Sequence, residues 1–500
     1  MAHSSIKISG EKSLNPNTPV IIGVAQILKR DYNKINFMEP VDLMVEASQK
    51  AAEDAGVPAL VESLDSVRVV RGWWRYEHPA GYVSSALGCE EAETVGTAYG
   101  GNMVQNLLNA SALDILKGKN ELLLLTGAEV GNSQAKARKS GESLPYKKTE
   151  GTYDRVIGED KSMSAEAEIA RGILRPIQIY PMFENALRAH RGETIAEHLD
   201  RVSALWSRFS AEAENNPAAW ITKAKTKIEI SSPGPKNRMI SFPYPKLMNS
   251  NNAVDMSAAI ILCSLEKAKS LGIDQSKWVF PWIGTEANDT YFVSERENFY
   301  SSPAIRIAGI RAMELAGLSP DKIDLVDLYS CFPSAVQIAA SELGFSLDRS
   351  LTVTGGLTFG GGPLNNYVMH SISRMVTLLR EDRNKKGLIT ANGGFLTKHS
   401  FGIYSAAPPI QDFQYENSQA EVDEMPTREA ATDYDGPATL ESYTVMFKND
   451  NPEIGHCACL TPQGKRTWGN VTDIRVLNLM QVEEFCGRKV FIDGNGMVSL

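Results

Sequence analysis

The sequence predicts an α/β protein with two similar halves, a helical insertion between them and a small all-β domain after them. Strands alternate with helices over most of the chain, which is typical of sheets joined by helical crossovers. The order of these elements also repeats: a helix that ends at Gly56 and its following strand correspond to a helix that ends at Gly317, 261 residues later. Because several elements repeat in order, we predict a duplicated fold.

The elements of the first half follow from local patterns. Pro19 to Ala25 is a short, continuous, β-branched run, as in a strand buried on both faces. Apolar and small residues then occupy one face of a helix that ends at Gly56, and Leu64 to Val70 alternates like a strand. A further helix begins after Gly100-Gly101 and leads to the apolar strand Leu122 to Gly127.

The second half repeats both pairs of elements. Ala312 to Leu318 predicts the end of a helix, and Ile323 to Leu328 predicts the strand after it. Gly361-Gly362 is followed by a helix and by the strand Leu388 to Ala391. Because parallel strands need crossovers, these units predict mostly parallel sheets with right-handed connections.

Composition shifts mark the remaining regions. Between the halves, Tyr180 to Phe209 predicts two helices of an insertion, and a stretch of this length is more often functional than not. The acidic stretch Glu416 to Glu424 is predicted to be a linker. Alternating segments near 440–447, 471–476 and 490–492 predict a β-barrel or sandwich. The predicted regions are 17–128 for the first half, 129–247 for the insertion, 248–297 for a return to the first half, 298–415 for the second half and 425–500 for the β domain.

The 500-residue chain has a formal net charge of -9 and a sequence pI near 5.5. Its Lys and Arg residues are scattered, so no basic surface for nucleic acid is expected. The first residues, Met1 to Asn17, are polar, and no apolar run is long enough to span a membrane. Six irregularly spaced cysteines fit a reducing compartment. These features predict a cytoplasmic protein with neither nucleic acid nor membrane as a partner.

Several motifs together resemble the thiolases over nearly all of residues 19–405. Tyr180-Pro181-Met182-Phe183 through Trp206, and Asp255-Met256-Ser257-Ala258-Ala259, resemble the thiolase loop domain and its following strand. The other matching motifs are Tyr329-Ser330-Cys331-Phe332 for His-Asp-Cys-Phe, Gly355 to Leu364 for the stretch with Gly-His-Pro-Leu-Gly, and Ala391-Asn392-Gly393-Gly394 for Cys-x-Gly-Gly. The resemblance implies a duplicated thiolase fold, with two βαβαβαββ halves whose mixed sheets sandwich helices.

Three chemical groups of that family are missing. Its nucleophilic Cys-Ala-Ser-Gly motif is Ala98-Tyr99-Gly100-Gly101 here, the histidine of Gly-His-Pro is Gly362, and the second cysteine is Ala391. Alanine and glycine can neither accept an acyl group nor move a proton, so the usual acyl-enzyme cycle cannot use these positions. Together with the added β domain, this pattern resembles the thiolase-like proteins of type 1.

Few reactive groups remain in the loops expected beyond the strand ends. The resemblance places Cys331 at an acid/base cysteine, so we predict a nucleophile or proton carrier; the alternative is a thiol that only packs. His399 is predicted to replace the lost histidine, with a structural role as the alternative. Tyr329 is predicted to donate to the thioester oxygen. The predicted substrate-binding residues are Ala98, Gly100, Gly101, Gly362, Asn392 and Gly393.

The resulting hypothesis is an acyltransferase of lipid metabolism that acts on acyl-coenzyme A (acyl-CoA) thioesters without the usual cysteine. The thioester is the expected substrate and small-molecule partner, and no permanently bound cofactor is expected. Two alternatives stay open: a non-catalytic acyl-CoA-binding protein, and a thioester decarboxylase, which needs carbonyl polarisation but no acyl acceptor. The chain is expected to be a homodimer or a monomer.

Two other motifs are expected to be structural. His370 lies on the helix after Pro363 and is predicted to be packed. His456-Cys457-Ala458-Cys459 offers metal-ligand types, but adjacent positions of a strand face opposite sides, so we predict a strand and no metal site.

Overall fold

The computed structural model describes residues 14–30 and 37–500. Most of the polar N-terminal stretch, Met1 to Asn17, lies outside the described residues. Among the helices described, none combines the length and the apolar character that crossing a membrane requires.

The strands and α-helices alternate over most of the chain, as predicted. The strands are β1 (Pro19–Leu28), β2 (Ser66–Val69), β3 (Glu93–Thr97), β4 (Leu122–Val130), β5 (Arg155–Ile157), β6 (Met239–Ser241), β7 (Tyr244–Pro245), β8 (Asp255–Ser264), β9 (Phe280–Asn288), β10 (Leu325–Asp327), β11 (Lys386–Gly393), β12 (Lys398–Ser405), β13 (Gln414–Asn417), β14 (Gly436–Lys448), β15 (Asn451–Leu460), β16 (Arg466–Val471), β17 (Lys489–Ile492) and β18 (Val498–Ser499). The α-helices are α1 (Pro40–Ala55), α2 (Pro79–Leu87), α3 (Met103–Leu116), α4 (Gly131–Ser140), α5 (Glu166–Ala170), α6 (Pro176–Arg191), α7 (Ile195–Glu214), α8 (Lys227–Ser231), α9 (Leu265–Ser270), α10 (Pro303–Leu315), α11 (Pro333–Leu343), α12 (Gly356–Phe359), α13 (Tyr367–Glu381), α14 (Gln419–Asp423) and α15 (Ile474–Leu479).

Two mixed sheets form the centre of the molecule. The first has the order β1-β8-β4-β2-β3-β5, in which β8 is antiparallel to both its neighbours and the remaining pairs are parallel. The second has the order β10-β11-β12-β9-β13, in which β12 is antiparallel to both its neighbours and the outer pairs are parallel. The prediction of two α/β halves is confirmed.

Helices cover both sheets in layers. Helices α3 and α13 lie between the sheets, where Leu107 of α3 and Met375 of α13 share one buried cluster with Leu125 and Ile389 of the strands. Helices α1 and α2 cover the outer face of the first sheet, and α10 and α11 cover that of the second. Since α3 has a sheet on either side, its N-terminal end is reached by loops from both halves.

The ends of α1 show why its sequence gives a helix of this length. Pro40 occupies the first turn, where its missing N–H costs nothing. Gly56 ends the helix with φ 84°, a left-handed conformation that favours glycine. The buried positions Ala47, Ala51 and Ala55 form the face that packs on the first sheet.

The insertion and the C-terminal β domain are joined. Strands β14 to β18 form a sheet in the order β16-β15-β14-β17-β18, and β6 from the insertion pairs with β14 at Ser241 and Met446. The Phe242 N–H donates to the Val445 carbonyl at 2.8 Å, and the Asn185 amide of α6 donates to the Tyr443 carbonyl at 2.8 Å. The β domain therefore continues into the insertion.

Three local predictions differ from the structure. Strand β9, expected in the first half, pairs with β12 in the second sheet, because the chain crosses between the sheets after α9. The acidic stretch expected as a linker is ordered: β13 extends the second sheet and α14 follows it. The strand expected over 471–476 ends at Val471, and the Asp473 side chain then caps α15 by accepting from the Arg475 N–H at 2.8 Å.

Candidate functional site

Four loops are predicted to converge beyond the strand ends, at Ala98 and over 329–332, 361–363 and 391–399. All but the one over 361–363 meet at the N-terminal end of α3. A Cβ atom on Gly101 would clash with the Tyr329 hydroxyl and the Asn392 carbonyl oxygen. A Cβ atom on Gly100 would lie 2.9 Å from Lys398 Nζ. The loop before α3, the residues after β10 and the β11–β12 hairpin therefore contact one another. We call Gly100, Gly101 and Asn102, with Tyr329 and Asn392 against them, the α3 entrance.

The loop that leads into α3 is fixed by hydrogen bonds on both sides. The Ala98 N–H donates to the Ile157 carbonyl at 2.8 Å, and the Tyr99 N–H donates to the Asp160 carboxylate at 2.7 Å. The Lys398 Nζ donates to the Tyr99 carbonyl at 2.7 Å. Ala98, which the resemblance to thiolases aligns with the nucleophile, is therefore a buried residue whose own N–H is already engaged.

Three successive backbone donors at the α3 entrance are free. Within the part of the chain that the structure describes, the N–H groups of Gly100, Gly101 and Asn102 donate to no protein acceptor. They precede the 14-residue helix α3, whose dipole adds positive potential at this end. Free N–H groups at a helix N-terminus are a favourable place for a carbonyl oxygen that gains negative charge.

Tyr329 brings a phenol to this entrance. Its N–H donates to Thr390 Oγ1 at 2.8 Å, which ties the residue after β10 to β11. Its hydroxyl lies against Gly101 and makes no hydrogen bond with a described residue. Burial raises the pKa of Tyr329 well above its ordinary value, so the phenol keeps its proton and can donate it in a hydrogen bond.

Cys331 is half-buried beside Asn392, whose Nδ2 lies 3.8 Å from Sγ. Burial raises the pKa of the Cys331 thiol to about 12, against the smaller lowering effects of Tyr180 and of the Phe332 N–H. The thiol is therefore neutral at physiological pH. A neutral thiol is a poor nucleophile but can deliver a proton.

His399 faces the other side of β12 from Lys398, because adjacent strand residues alternate. Its Nε2 lies 3.1 Å from the Leu396 carbonyl and 3.7 Å from the Asp289 carboxylate. Asp289 also pairs with the buried Arg296 at 3.3 Å. The imidazole is therefore held within a buried polar cluster on the side of α10, while Lys398 lies on the side of α3.

Gly362 contacts the segment before β8, and this segment in turn contacts Cys331. The Gly362 N–H donates to the Asn251 carbonyl at 3.0 Å, and the neighbouring Ser250 hydroxyl donates to the Cys331 carbonyl at 2.9 Å. A Cβ on Gly362 would lie 3.0 Å from Asn252 Oδ1. A side chain at this position would therefore require the Asn252 side chain to move slightly.

Tyr180 of the insertion holds the β11–β12 hairpin in place through hydrogen bonds of its hydroxyl. Its hydroxyl accepts from Asn392 Nδ2 at 3.0 Å and from the Leu396 N–H at 2.9 Å. It donates to the Gly394 carbonyl at 3.2 Å, and its ring stacks on Phe332 with a centroid distance of 4.5 Å. The sequence signal for this role is the position of Tyr180 in the first helix of the insertion, but its contacts need the fold.

A cavity of about 290 Å³ lies beside the α3 entrance, between α3 and strands β9 and β12. Lys398, Asn102 and Glu286 contribute to its wall. By contrast, the space bounded by Tyr329, Asn392 and His399 is only about 10 Å³. Lys398 and His399 therefore both border the larger cavity, and His399 also borders the smaller space.

Lys398, which belongs to none of the motifs that resemble thiolases, is a charged group of the candidate site. Its residue is 8% exposed and makes no ion pair with a carboxylate of the described residues. Burial lowers its pKa, and the charge of Asp160 acts in the opposite direction. The feature that points to Lys398 is the hairpin, because Lys398 pairs with Gly393 of the motif that resembles Cys-x-Gly-Gly.

The two motifs expected to be structural are buried. His370 Nδ1 lies 2.9 Å from Gln26 Oε1, and burial lowers the pKa of this imidazole to about 3. His456 lies on β15, with its two ring nitrogens near Gln178 and Asn470. Across residues 14–30 and 37–500, no group of three or more His, Cys, Asp or Glu side chains has a geometry suited to a metal ion.

Two family models match parts of the chain. Residues 417–497 match the thiolase-like protein type 1 additional C-terminal domain. Residues 285–349 match the thiolase C-terminal domain-like family.

Relatives and solved structures agree with these matches. An acetyl-CoA acetyltransferase of Methanocaldococcus jannaschii is 21% identical over 69% of this chain and 86% of that protein. A monomeric SCP2-thiolase like protein type 1 from Mycobacterium smegmatis is 29% identical, with a TM-score of 0.84 over 97% of this chain and all of that chain. The dimeric peroxisomal thiolase of Saccharomyces cerevisiae has a TM-score of 0.57 at 15% identity, over 79% of this chain and 98% of that chain, and so shows the fold alone. The chain therefore has the thiolase fold, and its residues 417–497 match the additional C-terminal domain of the thiolase-like proteins of type 1.

Proposed function

We propose that this chain is an acyltransferase-type enzyme that acts on acyl-CoA thioesters and forms no acyl-cysteine intermediate. The single observation that carries this proposal is the row of free N–H groups at Gly100, Gly101 and Asn102. A thioester carbonyl placed there would be polarised by these donors, and removal of one such donor typically costs about 10²- to 10³-fold in kcat. The acetyl-CoA acetyltransferases among the relatives support the choice of substrate.

The residues present support a reaction without an acyl-cysteine. Ala98, Gly362 and Ala391 carry no reactive group, and the Cys331 thiol is neutral because burial raises its pKa to about 12. In this proposal Tyr329 donates to the thioester oxygen and Cys331 carries a proton. His399 acts on the site by positioning the hairpin, since its imidazole lies at the Leu396 carbonyl.

Decarboxylation of a malonyl-type thioester is a second candidate. This reaction needs a polarised carbonyl and then a proton donor for the carbon that loses carbon dioxide. The neutral Cys331 thiol, 3.8 Å from the Asn392 amide, favours it because such a group can supply that proton.

The test uses the full chain with acetyl-CoA, butyryl-CoA and malonyl-CoA as separate probes. Binding is measured by equilibrium dialysis, turnover by release of free CoA, and covalent acylation by intact-protein mass spectrometry. We expect acetyl-CoA to bind and, when a small alcohol is added as acyl acceptor, to release CoA and form an ester, without an acyl adduct on Cys331.

The outcomes separate the hypotheses. Carbon dioxide release from malonyl-CoA favours the decarboxylase, and binding without any turnover favours a non-catalytic protein. If Cys331→Ala removes a covalent adduct that the wild type forms, a cysteine-based acyl-enzyme exists and the proposal is wrong. If none of the three thioesters binds, the proposed substrate class is wrong.

A further inference from the structure

The cavity beside the α3 entrance is large enough for a small ligand. Its volume of about 290 Å³ corresponds to roughly ten water molecules at about 30 Å³ each. Apolar groups of Met103 and Ile157 and polar groups of Asn102, Glu286 and Lys398 form its wall. Such a mixed lining is typical of sites that hold a small molecule by a few polar contacts.

Asn102 lines this cavity, and one of its side-chain atoms is an acceptor without a partner in the part of the chain that the structure describes. The residue is 5% exposed, and its Nδ2 donates to Asn106 Oδ1 at 2.9 Å. Its Oδ1 is buried and has no hydrogen-bond partner among the described residues. A buried acceptor without a partner is costly, so a ligand donor at this point would recover a hydrogen bond.

Lys398 Nζ lies close to the same point. A Cβ atom on Gly100 would contact both the Asn102 Oδ1 and, at 2.9 Å, the Lys398 Nζ, so the two atoms are neighbours. The Tyr99 carbonyl engages one N–H of Lys398 at 2.7 Å. In its neutral form the amine therefore keeps that hydrogen bond and still has a lone pair for a proton.

The charges of the wall favour an uncharged ligand. Glu286 on β9 and Glu159 after β5 disfavour an anion, while the Lys398 ammonium disfavours a cation. Burial raises the pKa of Glu286, against hydrogen bonds from Tyr415 and Asn417. A neutral hydroxyl group can donate a hydrogen bond to Asn102 Oδ1, and it can transfer its proton to an amine base.

We propose that Lys398 and Asn102 form the subsite for the acyl acceptor, a small uncharged alcohol, with the Lys398 amine as its general base. The inference rests on the proposed function for the acyl donor. The hydroxyl oxygen forms a bond to the thioester carbonyl carbon, its proton passes to Lys398 Nζ, and the carbon–sulfur bond breaks. The proton then leaves with the CoA thiolate, so the products are an ester and free CoA.

The groups that face Lys398 set its pH dependence. Glu286 from β9, Tyr415 from β13, Glu159 and Tyr291 line the cavity together with Lys398, and Asp160 acts on its charge; His399, the next residue of β12, also borders the cavity although its imidazole lies at Asp289. Burial lowers the pKa of Lys398 and Asp160 opposes that shift, so the neutral base becomes available at a lower pH than for an exposed lysine.

The first experiment measures catalysis with acetyl-CoA as donor and glycerol, 1,3-propanediol and ethanol as acceptor probes. CoA release and ester formation are followed against alcohol concentration and pH in wild type, Lys398→Arg and Asn102→Ala. Arginine can still donate to the Tyr99 carbonyl but cannot act as a base. We expect saturable ester formation in the wild type, about 10²-fold slower in Lys398→Arg with its rise with pH lost, and a higher half-saturating alcohol concentration in Asn102→Ala.

The second experiment needs no acetyl-CoA. The rate at which an N-hydroxysuccinimide ester acetylates Lys398 is measured by peptide mass spectrometry with and without each alcohol. Protection of Lys398, but not of the exposed Lys227, supports the subsite. Failure of every alcohol to protect Lys398, or equal ester formation in Lys398→Arg and wild type, overturns it. If protection occurs while acetyl-CoA does not bind, the proposed acyl donor is wrong and the alcohol subsite stands.

Discussion

The Lys398 Nζ donates to the Tyr99 carbonyl at 2.7 Å across a sequence separation of 299 residues. This bond joins the second half of the chain to the loop that enters α3 in the first half. That loop carries Ala98, at the position where the resemblance to thiolases would place the nucleophile. An amine, that of Lys398, therefore lies where the two halves meet.

The α3 entrance is predicted to tolerate no side chain at Gly101. In Gly101→Ala the new Cβ would clash with the Tyr329 hydroxyl and the Asn392 carbonyl, so the three free N–H groups would shift. We expect acetyl-CoA to bind at least about tenfold more weakly, which is about 1.4 kcal/mol. Equilibrium dialysis measures the change. Gly234→Ala is the matched control, because a Cβ there has no neighbour within 4 Å; equal affinity in both variants would contradict the placement of the thioester.

The Cys331 thiol is predicted to react slowly with iodoacetamide at neutral pH. With its pKa raised to about 12 by burial, about one thiol in 10⁵ is ionised at pH 7. Peptide mass spectrometry should show labelling at least 100-fold slower in the folded chain than in urea, and the folded rate should still increase between pH 8 and 10. Rapid labelling at pH 7 would instead indicate a thiolate and revive a covalent role.

Tyr180→Phe is predicted to loosen the β11–β12 hairpin. The change leaves the Asn392 amide and the Leu396 N–H without their acceptor, at a cost of about 1–3 kcal/mol for a buried donor. We expect a lower melting temperature and slower CoA release. Tyr434→Phe, which removes an exposed hydroxyl bonded to the Pro437 carbonyl, is the control. If both variants behave like the wild type, Tyr180 does not position the hairpin.

Glu184 is predicted to stabilise the insertion in a pH-dependent way. Its buried carboxylate accepts from Tyr244, Gln337 and His198 at 2.5 to 2.6 Å. Burial raises the pKa of Glu184, but the charge of His198 and these hydrogen bonds outweigh it, so the pKa is lowered overall. Removing one member of such a group costs about 3–5 kcal/mol.

The sign of the effect follows from that lowered pKa. The stabilisation is present above the ordinary glutamate pKa of about 4.3 and is lost as the pH falls through the folded-state value. Glu184→Ala should therefore melt well below wild type at pH 7, and the difference should shrink under strongly acidic conditions. Glu214→Ala, exposed on α7, should change the melting temperature little. A difference that stays constant with pH would show that the carboxylate charge is not involved.

The layered fold was predictable because its signals are local. Apolar runs such as Pro19 to Ala25 and helix ends such as Gly56 specify elements wherever they pack, and their repetition at Gly317 specifies duplication. Partners in a sheet are a different matter. The sequence pattern of β9 does not show in which of the two sheets the strand lies. Its pairing with β12 depends on where the chain crosses between the sheets after α9.

The contact between the loops of the candidate site was predictable, but the side chains that face one another there were not. The sequence points to the segment Leu396 to His399, and histidine attracts attention as a base. The hairpin register decides otherwise: Gly393 pairs with Lys398, so the lysine faces α3 and the histidine faces Asp289. The unpartnered Asn102 oxygen likewise emerges only when the hairpin and α3 are packed together.

The pairing of β6 with β14 has a consequence for engineering shorter versions of this chain. Without the residues after 424, the Phe242 N–H and the Asn185 amide would lose the acceptors that Val445 and Tyr443 provide. The buried ring of Phe242 would also lose its stacking partner Tyr443. We expect such a truncated protein to aggregate on expression, because the insertion would expose apolar surface and hydrogen-bond donors without acceptors.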